Sequence, residues 1–309
     1  MKVREAEDAG TRRWQIGAVR VTQVIESRGA NPPSFLFAGL TAERVQSHAW
    51  LRPHFAHADG RLFASIHCFV VESQGRRIVV DTCVGNDKAR STAMWNQLHG
   101  PFLDDLARAG FPAASIDVVL CTHMHTDHVG WNTRLAGERW VPTFANARYL
   151  FSRAEYEHWV GAGDDEELQV LADSVRPIVE VGLADWVASD HVLTGEVRLE
   201  PTPGHTPGHV SVRLRSRGSE AVITGDLMHH PIQCCEPRVG SRFDVDSQAA
   251  YEIRLRFLRE QADRNVLVLG PHFAAPTAGW IASAGDAWEF AVRPPESAAA
   301  GPRDRSPRR

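Results

Sequence analysis

Four side chains able to bind a metal fall within six consecutive positions, His123, His125, Asp127 and His128, in the run Thr122-His123-Met124-His125-Thr126-Asp127-His128-Val129-Gly130. Imidazole and carboxylate together suit a borderline divalent cation such as zinc. The run follows a buried-strand pattern, Ile116-Asp117-Val118-Val119-Leu120-Cys121. His123 and His125 therefore alternate as on extended backbone, while Asp127 and His128 fall where the chain turns into a helix. One short segment can face two metal centres. Paired cations make hydroxide available at neutral pH, which points to hydrolytic chemistry.

Three later segments repeat the device of an apolar strand ending in a polar ligand. In Glu200-Pro201-Thr202-Pro203-Gly204-His205-Thr206-Pro207-Gly208-His209, prolines stiffen and glycines open a turn that presents His205. Ala221-Val222-Ile223-Thr224-Gly225-Asp226 ends a buried strand in a carboxylate, costly if unpaired and resolved by bridging two cations. Val266-Leu267-Val268-Leu269-Gly270-Pro271-His272 does the same with histidine. Seven candidates result, a number that suits two four- or five-coordinate metals sharing a water. By residue type alone, His209 and Asp81 are equally eligible.

H-x-H-x-D-H after a strand, then G-H-T-P-G-H, T-G-D and a late G-x-H resemble the dinuclear hydrolase branch of the metallo-β-lactamase superfamily. The resemblance runs over roughly residues 14–290. It implies a four-layer αββα sandwich, an α/β (α+β) fold of two mixed sheets face to face with helices outside and the metals at one edge. It further implies that His123, His125 and His205 hold one ion, that Asp127, His128 and His272 hold the other, and that Asp226 bridges them. His209 is then structural or supporting, and Asp81 braces a ligand loop. Where the family usually has glycine after that Asp-Thr pair, this chain has Cys83. The cofactors implied are two divalent ions, zinc first, with Mn, Fe or Co accepted by the same donors. In this scheme hydroxide between the metals attacks a lactone or ester carbonyl, and Asp127 accepts a proton and delivers it to the leaving alkoxide.

Within the superfamily, the chain is most similar to the quorum-quenching lactonase and methyl parathion hydrolase group. The similarity lies in Gly225-Asp226-Leu227-Met228-His229-His230-Pro231-Ile232-Gln233 and in Trp131-Asn132. It implies an apolar ester or lactone substrate, an N-acyl-homoserine-lactone type first. Alternatives follow in order: an organophosphate or aryl ester hydrolase, a glyoxalase II-like thioesterase, and a non-catalytic metal-binding subunit. Many such lactonases place Tyr three residues after the bridging Asp; here His229 stands there, an imidazole that can donate to the substrate as the phenol does. The expected substrate wall is Phe35, Phe37, Trp50, Phe55, Trp131 and His229, the first four from an aromatic stretch over 31–60. The same stretch suits core completion or a homodimer contact.

Composition fits one domain over 14–292: of 309 residues, 43% are hydrophobic and 23% charged. A net charge of −4 gives no field for nucleic acid. No apolar run reaches a membrane span, the start is charged, and the five cysteines include no C-x-x-C. A soluble, cytoplasmic protein with reduced thiols is expected. Residues 1–13 are expected to be a flexible lead-in and 293–309 a disordered tail. Strands are expected at Gln15–Ile25, Leu62–Glu72, Arg77–Asp81, Val118–Cys121, Asp190–Leu199, His209–Leu214, Ala221–Thr224 and finally Val266–Leu269. Helices are expected at Phe102–Ala109, Ala154–Trp159, Asp165–Ala172 and Ser247–Asp263, the last capped by Asp246 or Ser247.

Overall fold

The computed structural model describes residues 4–8 and 11–293, with side chains from 11 onward. The expected tail from 294 on, and residues 1–3 and 9–10 of the expected lead-in, lie outside the described residues. An eight-stranded sheet takes its strands nearly in chain order. These are β1 (Arg4–Asp8), β2 (Thr11–Ile16), β3 (Val19–Asn31), β4 (Leu62–Ser73), β5 (Arg76–Val80) and β6 (Val118–Leu120). A separate hairpin of β7 (Thr133–Ala136) and β8 (Arg139–Pro142) intervenes before β9 (Arg148–Ser152) and β10 (Ala184–Val187) complete the sheet. The second sheet is β11 (Val197–Pro201), β12 (Val210–Ser216), β13 (Ser219–Ile223), β14 (Val266–Leu269), β15 (Ala278–Ala284) and β16 (Ala287–Ala291).

Period-2 patterning makes both sheets apolar on both faces, so each is covered twice. Phe69, Val71, Ile78 and Val80 point between the sheets, where they meet Ala221, Ile223, Leu267 and Leu269. Their alternates Cys68, Val70 and Val79 face outward, beneath α3 (Phe102–Arg108), α5 (Arg153–Ala162), α6 (Asp165–Val170) and α7 (Arg176–Glu180). On the other side, Val222 and Val268 face α9 (Ser247–Gln261) through Phe257 and Leu258, with α8 (Ile232–Cys235) beside them. Four layers result. A one-residue slip in any of these strands would exchange its two faces, so register is tightly held.

Several expectations need correction. Gln15–Ile25 is not one strand: Gly17, at φ +62°, turns β2 into β3. Part of the lead-in is paired rather than loose, with Arg4–Asp8 against Thr11–Gln15. Asp190–Leu199 extends only from Val197, and Val266–Leu269 is followed by the β15–β16 hairpin. Residues 31–60 hold two short helices, α1 (Pro33–Leu36) and α2 (Ala42–Ser47). Helix α9 begins as expected, with Asp246 Oδ1 accepting the N–H groups of Gln248 (3.1 Å) and Ala249 (2.9 Å).

Strands β5, β6 and β9 run parallel, as do β13 and β14, so their C-terminal ends gather at one edge. Loops at that edge are where α/β sheets place their ligands. Among the described residues, no helix is long and apolar enough to cross a membrane.

Candidate metal centre

Beyond β6 the chain delivers Thr122 and His123, then His125, then the short helix α4 (Thr126–Val129) with Asp127 and His128. β13 leads into the turn holding Asp226 and β14 into the turn holding His272; the turn between β11 and β12 presents His205. All seven expected ligands meet. Donor atoms of His123, His125, His205 and Asp226 lie within 4.8 Å of one another, as do those of Asp127, His128 and His272. Asp226 joins the two groups. Its Oδ1 lies 3.4 Å from His128 Nε2 and 3.1 Å from His272 Nε2, while Oδ2 lies 3.4 Å from His205 Nε2 and 3.8 Å from His123 Nε2.

The outer hydrogen bonds decide which nitrogen of each ring faces the centre. Thr122 Oγ1 donates to Asp81 Oδ2 (2.9 Å), so its lone pair accepts the Nδ1–H of His123 at 3.1 Å and leaves Nε2 bare. His205 Nδ1–H donates to Asp244 Oδ1 at 2.9 Å. The bare Nε2 atoms of His123 and His205 then converge on His125 Nδ1, at 3.1 and 2.9 Å, and that atom can offer one proton at most. His128 Nδ1–H donates to Asp81 Oδ2 (2.9 Å) and His272 Nδ1–H to the Ser65 carbonyl (3.3 Å), so two bare Nε2 atoms face each other at 3.2 Å. Asp226 Oδ1 is buried with no hydrogen-bond donor. Lone pairs aimed at lone pairs, around an orphaned carboxylate oxygen, fit cations.

The electrostatics agree. Burial, then the field of neighbouring imidazoles, holds His123 and His125 well below the usual histidine range, while burial outweighs the pull of Asp226 on His205. All three stay neutral, the form that ligates. At His128 burial opposes charge, yet Asp226, Asp81 and Asp127 together lift its pKa well above the ordinary value. His272 is raised likewise, by Asp226 and Asp127 against burial. Burial also works against charge on Asp226, but His128, His272 and His229 keep it ionised. This half of the centre demands positive charge, which protons or a metal can provide.

Several supporting residues carried no pattern in the sequence. Asp244 holds His205 and is itself fixed by the Ser241 N–H at 2.8 Å. The buried carboxylate of Glu155 takes the N–H groups of Met124 (3.1 Å) and Gly208 (2.9 Å) and the Trp159 indole N–H (2.7 Å), tying the two ligand loops together. Asp81, eligible as a ligand by type, instead takes Thr122 N–H at 2.7 Å and braces the loop. His209 points its Nε2 at the Asp226 N–H (2.8 Å), and burial lowers its pKa to about 4, so it remains an acceptor. Gly225 makes that contact possible: it sits at φ +54°, and a Cβ there would lie 2.6 Å from His209 Nε2. Cys83 sits at φ +54°, so the turn keeps the left-handed form that suits glycine, and the thiol is buried in the helix-side core.

A cavity of about 890 Å³ opens over the centre. Of the expected wall, Phe35 and His229 line it, with Asp127 at its floor. The other four lie elsewhere. Phe37 and Phe55 complete the core under α9's sheet, Phe55 packing edge-on against His230 and Phe290. Trp131 stacks on Phe102 and donates its indole N–H to Glu26 Oε1 at 2.6 Å. Trp50 borders a separate shallow hollow with His48 and Trp288. Met94, Trp95 and Trp159, not expected, supply apolar wall instead.

A family model described as the metallo-beta-lactamase superfamily matches residues 62–272, more than half the chain and all seven candidate ligands. The chain belongs to the metallo-beta-lactamase superfamily. Within that superfamily, an N-acyl homoserine lactonase from a Bacillus species is 25% identical over 173 residues, 51% of this chain and 61% of its own. The probable metallo-hydrolase YybB of Bacillus subtilis (strain 168) is 28% identical over 145 residues, 47% of this chain and 60% of its own. The chain thus spans about three fifths of the length of these curated relatives. Two solved structures share the fold. Hydrolase AbOPH of the beta lactamase superfamily superposes with a TM-score of 0.76 at 22% identity, over 93% of this chain and 99% of that one. AidC, a dizinc quorum-quenching lactonase, gives 0.75 at 20%, over 91% and 96%.

Proposed function

We propose that this protein is a dinuclear metal-dependent hydrolase of lactones or carboxylic esters, with an N-acyl-homoserine-lactone-type substrate first. The observation that carries the reading is Asp226, whose two oxygens face separate triads at the floor of a largely apolar cavity. His123, His125 and His205 would hold one ion, Asp127, His128 and His272 the other, and Asp226 both. When bound, a pair of zinc or similar divalent cations supplies Lewis acidity that makes hydroxide available near neutral pH and draws electron density from the scissile carbonyl.

The chain's own groups do the rest. Asp127 stands at the cavity floor in the first turn of α4, where it can take a proton and return it to the leaving alkoxide. His229 lines the same cavity, with Nε2 3.1 Å from Asp226 Oδ2 and Nδ1 without a hydrogen-bond partner. Its ring is fixed by stacking on His272 (5.9 Å between centroids, 13° between planes) and edge-on contact with Phe37. Its Nδ1 remains available to donate to the carbonyl or ring oxygen of the substrate. An aryl ester or phosphotriester is the second reading, favoured by the aromatic wall in which Phe35 meets Trp95 edge-on at 6.3 Å. The five cysteines are all free thiols, which supports a reducing, cytoplasmic setting.

The test is a turnover screen of the zinc-reconstituted protein against homoserine lactones of several chain lengths, aryl esters, thioesters and paraoxon-type triesters. Preference for lactones supports the first reading and preference for aryl substrates the second. A thioester preference overturns both, and bound metal without any turnover revives a non-catalytic role.

A further inference from the structure

A buried ion cluster lies beside the centre, outside the chemistry described above. Asp173 sits in the π-helical turn Leu171–Val175 that joins α6 to α7, a form often found at functional sites. Arg90 grips its carboxylate with both arms of the guanidinium, Nη1 2.7 Å from Oδ2 and Nη2 2.9 Å from Oδ1. Ser174 Oγ donates to Oδ1 at 2.5 Å, and Lys88 Nζ lies 3.4 Å from the same oxygen. Burial opposes charge on Asp173, yet the Arg90 bonds and the field of Lys88 hold its pKa below the ordinary carboxylate range. The remaining nitrogen of Arg90 has a different partner: Nε donates to Thr126 Oγ1 at 2.5 Å. Thr126 opens α4 and stands between the candidate ligands His125 and Asp127.

Arg90 also begins a wall of the cavity. Ser91, Thr92, Met94 and Trp95 follow it along the lining, and the Arg90 N–H donates to Asn96 Oδ1 at 2.9 Å, which closes that segment on itself. A four-residue helix such as α4 has no stability of its own, so the direction of Asp127 depends on what holds the helix. Its far end is held by Thr82 N–H on the His128 carbonyl and by Gly130 N–H on the Cys83 carbonyl, both at 2.8 Å. Its first residue is held by Arg90. A buried ion pair is weak evidence for stability, since packed apolar side chains fill such a space as well. Apolar side chains would not hold a hydroxyl between two ligands. We propose that Arg90 is a positioning residue, which through Thr126 Oγ1 fixes the start of α4, and with it Asp127, to the Ser91–Trp95 wall. The effect on metal rests on the two-ion reading of the centre; the tie itself does not.

Thr126→Val is the test, because it keeps the shape, removes the acceptor and leaves the Arg90–Asp173 pair intact. Thr126→Ser keeps the hydroxyl and is the rescue. Zinc titration of the full-length apoprotein against a chromophoric chelator should show one of the two binding steps weakened about tenfold in Thr126→Val and restored in Thr126→Ser. Arg90→Lys should show the same selective loss, since an ammonium cannot fork onto Asp173 and reach Thr126 at once. Hydrogen exchange of the full-length apoprotein reads the tie without metal: amides over 123–131 should exchange faster in Thr126→Val, while those of β14–β16 keep the parent rate. Both ions bound as in the parent, both steps weakened equally, or a loss that Thr126→Ser shares would each overturn the proposal. So would unchanged exchange over 123–131. A parent chain that takes up fewer than two ions sinks the two-ion reading, and exchange alone then decides the tie.

Discussion

Replacing Asp81 by asparagine tests how the supporting bonds set ligand chemistry. The carboxylate accepts three hydrogen bonds: from Thr122 N–H (2.7 Å), Thr122 Oγ1 (2.9 Å) and His128 Nδ1 (2.9 Å). An asparagine oxygen can keep the first. Its NH₂ group must then face Thr122 Oγ1 and His128 Nδ1, and the hydroxyl can rotate to accept. His128 has no such freedom, because a ring N–H facing an N–H is repulsive. The imidazole must move its proton to Nε2, the atom that faces Asp226 and His272, and so withdraw its lone pair. Loss of such a bond costs about 10- to 100-fold in metal affinity, or roughly 1.4–2.7 kcal/mol. The loss should fall on the ion held by Asp127, His128 and His272 and much less on the other. Zinc titration of the apoprotein against a chromophoric chelator resolves the two steps, with circular dichroism to check folding. A folded Asp81→Asn variant that binds both ions as tightly as the parent refutes the reasoning.

Gly225→Ala should destabilise the fold by about 2–3 kcal/mol in urea unfolding, because it adds left-handed strain to a Cβ contact of 2.6 Å with His209. A variant within 0.5 kcal/mol of the parent would show that the turn can shift freely. Lys88 is buried against Asp173 and the face of Trp140, and desolvation lowers its pKa to about 8 from an ordinary 10.5. The folded state therefore releases this proton before the unfolded state does, so stability should rise between about pH 8 and 10.5, by up to about 3 kcal/mol. That rise should be missing in Lys88→Met; identical pH slopes in parent and variant count against it. His229→Phe should lower turnover at least about tenfold with both ions retained, consistent with loss of one donor to the developing oxyanion. Metal loss instead would make His229 a structural support.

What could be read in advance divides by physical range. That the seven candidates meet was legible because their segments follow short apolar strands, and strand ends at one edge of paired sheets must meet. Helix α9 was legible through its cap. The β15–β16 hairpin was not, since Ala278-Gly279-Trp280-Ile281-Ala282-Ser283-Ala284 is too rich in small residues to show clear alternation. The substrate wall was half legible: aromatic side chains in an irregular stretch signal burial but not which surface they bury against. Phe35 went to the cavity while Phe37, two residues on, went to the core. Asp244 and Glu155 were invisible because each bonds to groups 31 to 53 residues away, where no local spacing betrays it.

The central claim is that Asp226 sits between two ions. Anomalous diffraction at the zinc edge from crystals of the zinc-loaded protein tests it most directly. Two peaks are predicted, one among His123, His125 and His205, the other among Asp127, His128 and His272, each beside a different oxygen of Asp226. A single peak, or two peaks of which one lies away from that carboxylate, would contradict the account.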